Sequence, residues 1–201
     1  MANVELTMKN LEKRGYRVSR FENKEQAREY LLAELGDKSV GIGGSMTIDA
    51  LDIYPALVER GNVFWHSKET TDPRGMMVQA NAAAVYMMSA NGVSESGQLI
   101  NIDGHGNRVA NMCYGHEKLY FVIGINKIAP TDEMALWRAR NIAAVKNTRR
   151  FKKETPCVVG EEKCYDCAHP QRICRVFVTL ERPPSGIGEV EVVIIDEALG
   201  F

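Results

Sequence analysis

Four cysteines, Cys157, Cys164, Cys167 and Cys174, fall at the spacing C-x6-C-x2-C-x6-C within one short stretch of the chain. Four thiolates are the donor set of a tetrahedral zinc ion or of an iron–sulfur cluster, and a bound metal orders a segment that lacks its own apolar stripe. The same residues also admit two reversible thiol pairs or plain buried thiols, and the spacing leaves these alternatives open. Cys113 stands apart, after an apolar run, and reads as a small buried hydrophobe.

A second group is Gly41, Gly43 and Gly44 with Ser45 and Thr47, the string GIGGSMT between an apolar run and a helical one. Glycines let backbone N–H groups approach an anion, a helix N-terminus adds partial positive charge, and the hydroxyls add donors. The spacing matches neither the P-loop nor the dinucleotide fingerprint. A tight turn with Ser45 or Thr47 as helix cap is the plain alternative. A third group runs from Ser89 to Gly97 and on to Asp103-Gly104-His105-Gly106-Asn107. Here Glu95 is the candidate nucleophile or base, and Asp103 its partner or the acceptor for a substrate hydroxyl. Both residue types also suit exposed turns. If the strands are parallel, Glu95 lies within reach of the cavity at the glycine turn. His66, His105, His116 and His169 have no zinc-protease spacing and read as hydrogen-bonded or surface residues.

These groups need a scaffold, and the chain alternates helical and short apolar segments as an α/β sheet does. Helices are expected over 4–14, after Asn23 with the stripe Ala27, Leu31 and Leu35, over 48–60 with a bend at Pro55, over 76–84, and around Leu136, Ala139, Ile142 and Ala143. Strands are expected at 16–21, 39–42, 63–65, 85–89, 119–125, 176–180 and 190–195. Residues 99–102 and 109–112 read as a hairpin across Asp103–Asn107. The expectation is one α/β domain over 1–201, an open and mostly parallel sheet flanked by helices, with a cysteine-rich segment at 151–175.

The 201 residues are 45% hydrophobic and 25% charged, which excludes disorder and collagen. The net charge is −1 with dispersed basic residues, so nucleic acid is not an expected partner. The densest basic patch, Lys146, Arg149, Arg150, Lys152 and Lys153, reads as the solvated end of a helix. No apolar run approaches the roughly 18 residues of a membrane span, so no membrane is expected and the chain reads as cytoplasmic.

The strings VGIGGSMT, SANGVSESGQLINIDGHGNRVANMCYG, FVIGINKIAPTDEMALWRARNIAAVKN and GEEKCYDCAHPQRIC together resemble the LUD domain of lactate-utilization proteins, over nearly the whole chain. The resemblance implies a fold of the sugar-phosphate isomerase and CoA-transferase class. It implies a part in oxidising L-lactate to pyruvate, beside partner proteins that carry iron–sulfur clusters, and it tilts the metal towards iron–sulfur. The family's glycine turn falls on Gly41, Gly43, Gly44, Ser45 and Thr47, its Asn-x-x-x-Glu segment on Asn91 and Glu95, and its Asp-Gly-x-Gly-Asn segment on Asp103, Gly104, Gly106 and Asn107. The expected ligand is a small anionic metabolite, with a homo-oligomer left open. The competing readings are a self-sufficient enzyme on a CoA or sugar-phosphate ligand, with Glu95 in the chemical step, and a non-catalytic ligand-binding domain.

Overall fold

The computed structural model describes residues 2–68 and 71–201. In chain order the first half comprises α1 (Val4–Lys13), β1 (Arg17–Phe21), α2 (Lys24–Leu35), β2 (Val40–Ile42), α3 (Met46–Ala50), α4 (Tyr54–Glu59), β3 (Val63–Trp65), α5 (Pro73–Asn81) and β4 (Val85–Met88). There follow β5 (Gly92–Ser94), β6 (Leu99–Asp103), α6 (Asn107–Asn111), β7 (Lys118–Gly124), β8 (Ile128–Ala129), α7 (Asp132–Arg138), α8 (Ala144–Arg150), α9 (Pro156–Val159), β9 (Val176–Leu180) and β10 (Glu189–Ile195).

Six strands form the main sheet in the order β1-β10-β7-β4-β2-β3, every neighbouring pair parallel. Side chains alternate across it. Leu119, Phe121 and Ile123 of β7 join Val190, Val192 and Ile194 of β10 on one face, against α1, α6 and the smaller sheet. Tyr120, Val122, Val193 and Ile195 join the other, where Leu31 and Leu35 of α2 and Ile48 of α3 cover them. Burial on both faces is what a parallel sheet requires, and it explains the near-continuous apolar strands of the sequence. The expected stripe Ala27, Leu31 and Leu35 is fully buried, and Asn23 caps α2 by accepting from the Gln26 N–H at 2.9 Å.

The smaller sheet has the order β8-β5-β6-β9, and β6 runs antiparallel to both β5 and β9. It corrects the expected hairpin. Residues after Asp103 form α6 instead of a return strand, because the Asp103 carboxylate accepts the Arg108 and Val109 N–H groups and so caps a helix there. The partner of β6 comes from far along the chain, in β9.

Two further differences have local causes. The segment expected as one bent helix is two short ones, α3 and α4, separated where Asp52 takes a φ of 51° and where Pro55 opens the first turn of α4. After α7, residues Ala139–Ala143 form a π-turn before α8. The extra residue rotates the buried face, so Leu136 is 38% exposed while Ala135, Arg138, Ala139 and Ala143 face inward.

Candidate functional site

In a parallel sheet the loops leaving the carboxyl ends of the strands gather on one edge. Gly43 to Thr47 follow β2, His66 and Ser67 follow β3, Ser89 to Asn91 follow β4, and Ile125 to Lys127 follow β7. These loops enclose a cavity of about 860 Å³ and, beside it, a recess of about 40 Å³. Gly44, Asn91, Arg108, Ala143, Asn147 and Arg150 border both, so the two spaces adjoin.

The glycine turn owes its composition to crowding. A Cβ on Gly41 would lie 2.4 Å from the Ala80 carbonyl oxygen, and one on Gly43 would lie 2.6 Å from Arg108 Cγ. Arg108 therefore reaches the cavity over a surface that only glycine leaves free. The hydroxyls serve the fold: Ser45 Oγ accepts the Ile48 N–H at 3.2 Å as the cap of α3, and buried Thr47 donates to the Leu199 carbonyl at 3.3 Å. Because α3 has only five residues, its dipole adds little. The positive charge at this edge comes from side chains.

Arg108 and Arg150 border both spaces, Lys153 borders the larger, and Lys127 borders the recess with Ser45, Thr47 and Ser89. The Phe201 backbone oxygen also borders the recess and accepts from Arg138 at 3.3 Å, and the single side-chain carboxylate among the described lining residues is Asp103. It accepts from the backbone N–H groups of Gly104 (2.7 Å), His105 (3.3 Å), Arg108 (3.0 Å) and Val109 (3.3 Å) and faces the Arg108 guanidinium at 3.6 Å. Those contacts hold the turn before α6, so its carboxylate is chiefly an anchor. His66 and His105 also line the larger cavity, and burial, followed by the neighbouring His105, pushes the His66 pKa down.

Lys127 is the least expected member. It is 2% exposed, and its amine makes no hydrogen bond or ion pair with any described residue. Burial, then Arg138, Lys146 and Arg108, push its pKa down to about 7. Arg138, 7% exposed, brackets the loops after β4 and β7 by donating to the carbonyls of Asn91 (2.6 Å) and Asn126 (2.7 Å). Burial lowers its pKa to about 10.

Glu95 is elsewhere, and the expectation that it shares this cavity is corrected. It follows β5 of the smaller sheet, not a main-sheet strand, and it borders neither the cavity nor the recess. Its carboxylate accepts the Asn3 N–H at 2.7 Å and its carbonyl accepts from Asn10 Nδ2 at 2.7 Å, which fastens α1 to the smaller sheet.

The cysteines Cys157, Cys164, Cys167 and Cys174 are free and half-buried. Among the described residues no group of three or more His, Cys, Asp or Glu side chains gathers as metal ligands. Arg172 ties the segment together: it donates to the carbonyls of Cys167 (2.6 Å) and Cys174 (2.8 Å) and to Asp166 (2.9 Å). Asn141 of the π-turn accepts the Cys164 N–H at 2.9 Å. Cys174 borders the large cavity, and burial pushes its thiol pKa up.

Sequence reasoning thus reached the glycine turn and Asp103 but not Lys127, Arg108 or Arg150. Arg150 and Lys153 had the look of a solvated helix end. Lys127 left one signal, a lone cation between the most strand-like run and Ile128-Ala129.

A family model described as the LUD domain matches residues 4–195. The fold is similar to that of a DUF162-family protein from Deinococcus radiodurans, with 11% identity, a TM-score of 0.57, and coverage of 96% of this chain and 95% of that one. No curated protein matches the sequence.

Proposed function

The chain belongs to the LUD-domain family, and from that premise we propose that it binds a small carboxylate-bearing metabolite at the carboxyl edge of its main sheet, in the oxidation of lactate to pyruvate or a related redox pathway. One observation carries the reading. Arg108, Arg150 and Lys127 converge on the recess, none of whose described lining side chains is a carboxylate, while Asp103 beside it is taken up by backbone N–H groups and by Arg108. Cations that outnumber the side-chain carboxylates around them favour an anionic ligand, because pairing them relieves both desolvation and mutual repulsion.

The recess, lined mostly by polar groups, suits the polar end of a ligand. A carboxylate or carbonyl fills it while the rest of the metabolite lies in the larger cavity. The guanidinium of Arg150 supplies a planar fork suited to carboxylate. The chain's own residues bind and orient the metabolite, and electrons pass to a redox partner protein.

Titration calorimetry with L-lactate, pyruvate, inorganic phosphate and CoA tests the reading. A carboxylate is expected to bind, and Arg150→Gln to weaken it on the order of tenfold to a hundredfold, the worth of a charge-assisted hydrogen bond of ~1.5–3 kcal/mol. Glu95→Gln should leave the affinity unchanged. Failure of every carboxylate to bind, or indifference to Arg150→Gln, overturns the proposal, and binding of CoA alone puts the CoA-ligand reading in its place.

A further inference from the structure

Lys127 ends the turn after β7, its side chain is withdrawn from solvent, and it has no partner among the described residues. A lysine used for architecture finds a carboxylate or a ring of carbonyls; this one borders a recess lined by Ser45, Thr47, Ser89 and Asn91. The cations nearest in electrostatic terms are Arg138 of α7, Lys146 of α8 and Arg108 of α6; Asp103 faces Arg108 at 3.6 Å and the Phe201 backbone oxygen accepts from Arg138 at 3.3 Å, but among the described residues no carboxylate pairs with Lys127 itself. Burial and neighbouring cations are the two conditions that hold a lysine as a neutral, nucleophilic amine.

We propose that Lys127 is a carbonyl-capturing amine, which condenses with the keto or aldehyde group of an oxo acid whose carboxylate is held by Arg108 and Arg150. The proposal rests on the anion-binding reading above and deepens it by naming the ligand's second functional group. The nitrogen lone pair attacks the carbonyl carbon and a C–N bond forms. The carbonyl oxygen then leaves as water, carrying the two amine protons, and a neutral imine remains. Protonation from solvent makes it an iminium. No electrons enter or leave, so no oxidant or reductant is required. The amine's lowered pKa, about 7, means that a substantial share is unprotonated near neutrality, whereas an ordinary lysine is almost wholly charged. Ser89 and Asn91, at the end of β4, are placed to orient the carbonyl oxygen as it departs.

The experiment incubates the intact chain with pyruvate or glyoxylate and adds borohydride, which delivers hydride to an iminium and fixes it as a stable amine. Peptide mass spectrometry then locates the adduct. The expected result is about one adduct per chain on the peptide containing Lys127, with labelling that rises as pH passes through about 7. Lys127→Arg keeps the charge and cannot condense, so it should lose this adduct while other lysines label only in proportion to exposure. Calorimetry on the same samples separates the two ideas. An oxo acid that binds without any adduct on Lys127 overturns this inference and leaves the anion site standing. An oxo acid that neither binds nor labels overturns both, and labelling spread over surface lysines with Lys127 spared overturns the inference as well.

Discussion

At the scale of single residues, the site's energetics turn on a buried cation. Below about pH 7 the native chain carries Lys127 charged in a setting that burial and Arg138 make unfavourable. Between there and the ordinary lysine value of about 10.4 the unfolded chain binds more protons than the folded one, so stability rises with pH across that window. Lys127→Met fills the same space without a charge. It is expected to raise the melting temperature at pH 6 by more than it does at pH 9, as read by calorimetric scans at the two values. An equal margin at both would mean that the amine is not held as described. Gly43 and Asp103 act on the same scale but through shape. The first makes room for Arg108, and the second, by collecting backbone N–H groups, places that arginine at the start of α6.

At the scale of elements, the cysteine-rich segment is a loop fastened by side-chain donors to carbonyl acceptors, with one helical turn, α9, inside it. Arg172 closes it and Asn141 ties it to the π-turn. Arg172→Ala is therefore expected to make residues 154–175 sensitive to limited proteolysis while far-ultraviolet dichroism keeps its sheet and helix signal. Hydrogen bonds to charged groups are worth ~1.5–3 kcal/mol each, enough to free a loop but not to unfold the main sheet. Treatment with a metal chelator should leave the protease pattern unchanged. The opposite pair of results, a loop loosened by chelator and indifferent to Arg172→Ala, would restore the four thiolates as its organiser, with iron or zinc found by elemental analysis. The π-turn itself sets which residues reach the cavity: Ala143 and Asn147 face it because the helix phase has shifted.

At the scale of the molecule, the main sheet is the rigid base on which the loops stand. Phe121 sits at its centre, fully buried between β10 and β4. Phe121→Ala should cost ~3–5 kcal/mol in denaturant unfolding, the usual range for emptying such a position. A cost below ~1 kcal/mol would show that the core collapses into the space. The cavity edge contains no helix long and apolar enough to cross a membrane, and neither does any other described part of the chain. Cations at this edge come from α6, α8 and the β7 loop, three elements far apart in sequence that only the sheet order brings together.

What the sequence determined by itself is what local physics writes locally. Continuous apolar runs flanked by helical stripes specify a parallel sheet buried on both faces, and Gly41 with Gly43 marks a turn that admits no side chain. Asn23 announces the cap of α2, and the strands of the main sheet fall close to where the runs are. What only the tertiary structure decided involves distant partners. The sequence after Asp103 has turn chemistry suited to a hairpin, and it became α6 because β9, about seventy residues on, took the place of the return strand. Glu95 belongs to the smaller sheet because it sits in the short turn that joins β5 to β6, and β5 is fixed on its other side by β8, a parallel partner more than thirty residues on. Lys127 and Arg150 read as ordinary charges, since a cation's burial and its lack of a counter-ion depend on what the rest of the chain packs around it.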